Sequence, residues 1–114
     1  MTDIQSTVAD FQEEVFKTIQ NDYEGEIDEE TFESAIDDFH HQELDEIIAY
    51  MNYEDVLDII EEYGGFQSAL QLYIDTFGAV KDAPSVRAIA YNIINDAARN
   101  CFTMKAYKEW CESQ

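Results

Sequence analysis

The sequence predicts an all-α protein that folds as one compact domain of about six helices over residues 1–114. Apolar residues recur at three- and four-residue spacing along nearly the whole chain, which is the pattern of amphipathic helices. Strand signals are weak. The length suits a single domain, and 46% apolar residues, with seven Phe and seven Tyr, supply a core that disordered acidic chains lack.

Three apolar stripes predict the helices of the N-terminal part. The first stripe covers residues 8–19, and the helix that carries it should end between residues 21 and 25. Asp28 is suited to cap the second helix, whose stripe covers residues 32–39. A third, separate helix is predicted from the stripe at residues 44–51. The connections between them are short, as an antiparallel helical domain requires.

Capping residues divide the rest of the chain. Asn52 is expected to cap a helix over residues 56–63, and the Gly-Gly pair that follows ends this helix in a left-handed turn. The next stripe, residues 66–77, ends at another glycine. Pro84, directly after Ala83, suits the first position of the next helix, which is long. Thr103 is placed to cap a short last helix.

The charge of the chain is concentrated in one half. Residues 1–62 hold 21 acidic side chains and a single lysine, which accounts for the whole net charge of −20, whereas residues 63–114 hold five acids and five bases. The domain therefore has an acidic half and a neutral half. Such a chain is not expected to bind nucleic acid or an anionic membrane directly. The lack of a bilayer-spanning apolar run and of a signal-peptide pattern predicts a cytoplasmic protein.

Acidic side chains line up at helical spacing in the acidic half. Like charges one turn apart destabilise a helix by about 0.2–0.5 kcal/mol per pair, and one lysine cannot relieve them all. The helix dipole favours acids in a first turn, as at Glu29, but opposes Asp37, Asp38 and residues 61–62 at predicted helix ends. This uncompensated repulsion indicates a partner-binding surface. Its predicted members are Asp22, Glu24, Glu26, Glu29, Glu30, Glu33, Asp37, Asp38, Glu43, Asp45, Glu46, Glu54, Asp55, Asp58, Glu61 and Glu62.

Twenty net charges match those of a short DNA duplex. Duplex DNA carries one negative charge per ~1.7 Å of axis, so twenty charges correspond to about 34 Å, or about ten base pairs. A compact domain of this length is about as wide. The sequence therefore predicts an inhibitor that mimics DNA and binds a basic DNA-binding protein, with an association that weakens as salt rises. The alternatives are an acidic adaptor or chaperone-like module that binds a basic partner protein, and an acidic surface that serves only solubility.

No arrangement of residues indicates an enzyme, a cofactor or a metal site. The sequence shows no glycine-rich phosphate loop, nucleophile elbow or Cys/His pair, and its carboxylates are too numerous to single out an acid–base pair. Residues 20–31 resemble a calcium-binding loop, but two ligand positions are filled by Gln and Thr, so an acidic turn is the preferred interpretation and a calcium-responsive module the third hypothesis. His40 and His41 point about 100° apart on a helix and do not suit one metal ion.

The C-terminal segment carries more aromatic surface than a terminal helix needs. A symmetric dimer contact is one hypothesis for it, and the candidate residues are Phe102, Met104, Tyr107 and Trp110. A homodimer would join two acidic halves into one longer charged surface. The alternative is that these side chains dock on their own domain.

Two short segments resemble a known family. Residues 30–36 (Glu-Thr-Phe-Glu-Ser-Ala-Ile) and 47–51 (Ile-Ile-Ala-Tyr-Met) are similar to acidic-apolar segments of the phage-encoded Ocr group (overcome classical restriction), antirestriction proteins that mimic DNA. The resemblance implies a homodimer that fills a DNA channel with carboxylates in place of phosphates. The neutral tail departs from that group, which keeps acids to its C-terminus. The target is therefore left open among a restriction enzyme, a CRISPR effector, another defence nuclease and a polymerase.

Overall fold

The computed structural model describes residues 2–23, 26–79 and 82–114. Within these residues the chain forms six helices and no strand, which confirms the predicted all-α domain. The helices are α1 (Ile4–Asp22), α2 (Glu29–Tyr50), α3 (Tyr53–Glu62), α4 (Phe66–Phe77), α5 (Val86–Ala97) and α6 (Met104–Glu112). In the described ranges, none of them combines the length and the apolar character needed to cross a membrane.

The predicted capping residues begin three of the helices. Asp28 Oδ1 accepts a hydrogen bond of 2.7 Å from the backbone N–H of Thr31 at the start of α2. Asn52 Oδ1 accepts one of 2.9 Å from the N–H of Asp55 at the start of α3. Thr103 Oγ1 accepts a hydrogen bond from the backbone N–H of Ala106 at the start of α6. Each bond satisfies a first-turn N–H that has no partner within its helix, so these predictions are confirmed.

α3 ends at the predicted Gly-Gly pair. The N–H of Gly64 (φ 123°) donates to the carbonyl of Glu61 at 3.1 Å, and the N–H of Gly65 (φ 95°) donates to the carbonyl of Ile60 at 3.0 Å. This is the Schellman arrangement of a helix C-terminus. Both φ angles lie in the region that glycine adopts without strain, so the turn into α4 depends on this pair.

The predicted second and third helices are one continuous helix, so that prediction was wrong. No glycine or proline lies between the two apolar stripes to end α2. Its buried positions are Phe32 and Ala35 near the start and Leu44 and Ile48 near the end, and at 3.6 residues per turn Leu44 lies about 120° further around the helix axis than Phe32. The buried stripe therefore rotates by about 40° per turn. Asp37 and Asp38 lie in the middle of α2, so the prediction that they sit at a helix end was wrong as well.

α5 begins at Val86, after Pro84, which was predicted to be its first residue. The N-cap is Ser85, whose Oγ accepts a hydrogen bond of 3.0 Å from the backbone N–H of Ala88. The serine side chain is a better cap than Ala83, which has no hydrogen-bonding group. Pro84 therefore lies outside the helix, and its predicted position was wrong.

α5 is the central helix of the domain. It packs against α1, α2, α3 and α4. Ile89, Ala90, Ile93 and Ile94 are buried along it. The core of the acidic half is therefore completed by a helix of the neutral half.

An aromatic cluster joins α1 to the C-terminal segment. Phe16 of α1 is fully buried. Its ring centroid lies 6.0 Å from that of Phe102, 5.3 Å from Tyr107 and 5.9 Å from Trp110, each in an edge-to-face arrangement. The Phe32 ring of α2 lies 6.3 Å away. Edge-to-face pairs add to the stabilisation from burial, so the cluster fixes α6 against α1 and α2.

Arg87 ties α5 to the end of α2. Its Nη1 donates hydrogen bonds to the carbonyls of Ile48 and Met51, at 2.5 and 2.7 Å. The last turn of α2 has no basic residue of its own. A cation from another helix therefore satisfies these carbonyls and lies at the negative end of the helix dipole.

Candidate partner-binding surface

α3 presents its acids on the side opposite the core. Val56, Ile59 and Ile60 are buried on one face of this helix. The acids fall within an arc of about 120° on the other face, as helical geometry requires for their spacing. They are Glu54, Asp55, Asp58, Glu61 and Glu62; Asp55 and Asp58 are half-buried, and the other three are exposed. The predicted acids of this helix therefore share one face.

α1 and α2 form a second acidic feature, which we call the acidic groove. It is a pocket of about 330 Å³ lined by five carboxylates and Ile47. The carboxylates are those of Asp10, Glu13, Glu14, Glu43 and Glu46. The sequence interpretation included Glu43 and Glu46 but missed the three acids of α1. Their spacing of three and four residues was the signal that would have found them.

Glu43 is half-buried in the acidic groove. Its Oε1 accepts a hydrogen bond of 3.2 Å from Thr18 Oγ1. Burial raises the pKa of Glu43, and the charges of Glu46 and Glu14 raise it further, against the opposing effect of the Thr18 hydrogen bond. The ionised form is therefore disfavoured at this position. Perturbed carboxylates of this kind cluster at functional sites.

Glu62 connects the acidic face of α3 to the start of α1. Its Oε2 accepts a hydrogen bond of 3.1 Å from the backbone N–H of Ile4. Asp3 caps the same helix, since its Oδ1 accepts a hydrogen bond of 2.6 Å from the N–H of Ser6. Hydrogen bonds from Ser6 hold the pKa of Asp3 below its usual value. Two carboxylates thus lie at the positive end of the α1 dipole, so Glu62 has a structural role that its sequence context did not reveal.

The other acids of α2 do not join the acidic groove. Asp37 lines a pocket with residues of α4 and α5. Asp45 lines a different pocket with Tyr73 and Arg87. Helical geometry explains this separation, because Asp37 and Asp45 lie about 120° and about 160° around the helix axis from Glu43. The exposed acids that line none of these pockets are Glu29, Glu30, Glu33 and Asp38. The predicted carboxylates are therefore grouped on several faces instead of one row.

Among the residues that the structure describes, the carboxylates of the acidic half have no ion-pair partner from the neutral half. In the part of the chain that the structure describes, Lys17 pairs with Glu13 and Glu14 at 3.7 and 3.9 Å, and Arg99 pairs with Asp96 at 3.7 Å. These pairs join residues three or four positions apart, are long and solvent-exposed, and so neutralise little charge. None of them joins a lysine or arginine of the neutral half to a carboxylate of the acidic half.

Three predicted binding residues lie at the end of α1 and in its connection to α2. Asp22 and Glu26 are exposed. Glu24 lies outside the described residues, as does Gly25 of the calcium-like segment. Among the residues that the structure describes, no group of three or more His, Cys, Asp or Glu side chains could hold a metal ion.

His40 and His41 bond to different partners. Their ring centroids are 3.9 Å apart. His40 Nδ1 donates to the carbonyl of Ile36 at 2.6 Å, and His41 Nδ1 lies 2.5 Å from the hydroxyl of Tyr91. Burial raises the pKa of this tyrosine, and the charge of Asp45 adds to the effect. The two histidines therefore belong to separate hydrogen-bonded sites on α2.

The C-terminal aromatic side chains dock on their own domain, which is the second of the two alternatives. Tyr107 is 5% exposed and packs on Phe16. Burial raises the pKa of Tyr107 to about 12. Phe102, Met104 and Trp110 are half-buried. Tyr107 is thus shielded from a second copy by its own chain, and the homodimer stays a prediction that rests on the other three side chains.

Large apolar side chains are exposed close in sequence to the acids. Tyr50 is 88% exposed at the end of α2, and Tyr53 is 55% exposed at the start of α3. Phe66 and Phe77, at the two ends of α4, are 50% and 60% exposed. None of the four is among the predicted partner-binding residues, and Phe66 and Phe77 are the ends of a predicted apolar stripe. Aromatic side chains are enriched at protein–protein interfaces, so they favour a protein as the partner.

Together these features define a class: a small helical protein whose exposed carboxylates have, within the described ranges, no cationic partner from its neutral half. Comparison of the chain with protein-family models, curated proteins and solved structures found no match.

Proposed function

We propose that this protein inhibits a DNA-binding protein by occupying its basic DNA-binding surface. One observation carries the proposal. Among the described residues, no lysine or arginine of the neutral half forms an ion pair with the exposed carboxylates of the acidic half. The longest axis of the molecule is 44 Å. A net charge of −20 over this length is one charge per about 2.2 Å, close to the ~1.7 Å of duplex DNA.

The target that we propose is a defence nuclease of a bacterial host, either a restriction enzyme or a CRISPR effector. The protein would then act in the host cytoplasm as a phage counter-defence factor. Both segments that resemble the Ocr group belong to α2 and its C-cap residue, and α2 is the helix that contributes half of the predicted carboxylates. A basic partner would be attracted at long range, so association would be fast at low salt and would weaken as salt rises.

The second candidate function is an acidic adaptor that binds a basic protein away from any DNA site. The exposed aromatic side chains favour it, because contacts to a DNA channel are made through charge and do not need them. Competition distinguishes the two functions. Duplex DNA displaces a mimic from its partner, whereas an adaptor and DNA bind the same partner together.

Affinity capture from a bacterial lysate tests the proposal. The immobilised protein should retain a DNA-binding protein at about 50 mM salt and lose it by about 500 mM, because charge contacts are screened. Excess duplex DNA should elute the same protein. Retention of the partner in saturating DNA would contradict mimicry and support the adaptor.

Two charge-reversed variants then locate the binding face. Glu54→Lys with Glu61→Lys changes the acidic face of α3, and Glu109→Lys with Glu112→Lys makes the same change in net charge on α6. All four side chains are exposed, and circular dichroism checks that both variants are folded. The α3 variant should bind the captured partner at least about tenfold more weakly than the α6 variant. Equal affinities for the parent and both variants would show that charge mimicry is the wrong mechanism.

A further inference from the structure

A pocket between α2, α4 and α5 lies apart from the acidic groove. Its volume is about 580 Å³, within the range of small-ligand sites. The polar residues that matter here are Asp37 and His40 of α2, Asp75 of α4, Asn92 and Asp96 of α5, and Arg99 just after α5. We call it the polar pocket.

Asn92 is buried at the wall of the polar pocket without enough hydrogen-bond partners. It is 2% exposed. Its Nδ2 donates one long hydrogen bond, 3.4 Å, to Thr76 Oγ1. Its Oδ1 accepts no hydrogen bond from any described residue. Since every fully enclosed side-chain nitrogen or oxygen of the described residues has a partner, this oxygen must be open to the pocket. The oxygen is therefore free to accept a hydrogen bond from water or from a ligand in the pocket.

The pocket wall offers acceptors and negative charge. His40 Nδ1 donates to a carbonyl of its own helix, so in the neutral ring Nε2 is an acceptor. Asp75 Oδ1 accepts one hydrogen bond of 2.9 Å from Gln71, and the carboxylate has further lone pairs free. Asp96 is paired with Arg99 at 3.7 Å. Three carboxylates against one guanidinium leave the wall with an excess of negative charge.

We propose that the polar pocket binds a guanidinium group. A guanidinium is positively charged, has five N–H donors and has no acceptor, which matches a wall made mainly of acceptors. It is planar and less strongly hydrated than an ammonium ion, so it is removed from water more readily. The Phe102 ring also lines the pocket and offers a surface for stacking. Asn92 Oδ1 and the carboxylates of Asp37 and Asp75 receive its N–H groups.

Nuclear magnetic resonance titration of the ¹⁵N-labelled full chain tests the site. The probes are N-acetyl-arginine methylamide, which represents an arginine side chain of a protein, and agmatine, which represents a free guanidinium metabolite. N-acetyl-lysine methylamide is the control cation. The side-chain amide signal of Asn92 should shift saturably with a guanidinium probe, at an affinity about tenfold higher than with the lysine probe. Agmatine also carries an ammonium group, so the two guanidinium probes are compared at about 0.5 M salt, where long-range attraction is screened, and the probe that binds more tightly there identifies the source of the group.

Substitutions show whether the pocket holds the probe. Asp37→Asn and Asp75→Asn remove one charge each from exposed side chains, and each should weaken binding at least threefold. Asp82→Asn makes the same charge change at an exposed position that does not line the pocket and should leave binding unchanged. Asn92→Leu should abolish binding.

Three results would overturn the proposal. They are the absence of saturable shifts with both guanidinium probes, equal affinity for the lysine probe, and equal weakening by the Asp82 control. Binding here involves neither the acidic groove nor α3. Failure of this proposal would not contradict the proposed function, and failure of the proposed function would not contradict this proposal.

Discussion

Replacing Glu43 by Gln should make the protein more stable at neutral pH. Glu43 is half-buried next to Glu14 and Glu46, and burial together with these charges raises its pKa. Each like-charge neighbour opposes folding by about 0.2–0.5 kcal/mol, so removing the charge should raise the free energy of unfolding by about 0.4–1 kcal/mol. Gln keeps an oxygen that can accept the hydrogen bond from Thr18. For a domain of this size the gain corresponds to a rise in Tm of about 2–4 °C.

The pH dependence of the gain identifies its cause. The folded state binds a proton at Glu43 more tightly than the unfolded state does, so the destabilisation is present when the side chain is ionised and disappears as the pH falls through the folded pKa. The difference in Tm between Glu43→Gln and the parent should therefore be largest at neutral pH and should vanish in acid. Salt at about 0.5 M should also reduce it through screening.

Thermal unfolding followed by circular dichroism measures these differences. Glu29→Gln is the matched control, because it removes the same charge from the first turn of α2, where the helix dipole favours an acid. That variant should be no more stable than the parent. A lower Tm for Glu43→Gln at pH 7, or a gain that does not depend on pH, would refute the argument that like charges repel across the acidic groove.

Three further substitutions test the fold. Phe16→Ala should lower the free energy of unfolding by about 3–5 kcal/mol in urea titrations, because it removes a fully buried ring from the aromatic cluster. Arg87→Met should lower it by about 1.5–3 kcal/mol, because two carbonyls at the end of α2 lose a charged donor; an unchanged value would contradict the capping role. Asp28→Ala should lower Tm at neutral pH. Hydrogen bonds from Thr31 hold the pKa of Asp28 below its usual value, so its contribution is present above the unfolded pKa and is lost as the pH falls through the lower folded pKa. The Tm difference from the parent should therefore close in acid, whereas Asp28→Asn, which keeps a capping oxygen, should stay close to the parent at neutral pH.

The helix boundaries were predictable where a local chemical group sets them. Asn52 and Thr103 cap their helices through bonds to N–H groups three residues on, which sequence spacing alone specifies. The position predicted from Pro84 was wrong because Ser85 caps the helix in place of Ala83, which makes Val86 the first helical residue. The long α2 was missed because its buried stripe rotates along the helix, which makes one stripe look like two in the sequence.

The candidate surface was predictable in composition but not in arrangement. The sequence identifies which half carries the charge, since this needs only counting. It does not show that Glu43 and Glu46 meet acids of α1 while Asp37 and Asp45 line other pockets, because that depends on how α2 packs against its neighbours. Asn92 was also missed. A polar residue three positions after Ile89, on a helix whose neighbouring positions are buried, was the available signal.

The central position of α5 has a practical consequence for anyone who wishes to isolate the charged region. Cutting the chain after residue 62 would remove α5, which covers the apolar sides of α1, α2 and α3. Such a fragment would expose Phe11, Val15 and Ile59 to water and should aggregate or unfold, however soluble its composition looks. Any truncated variant that is meant to carry the carboxylates must therefore retain α5, because the acidic helices depend on it for their folding.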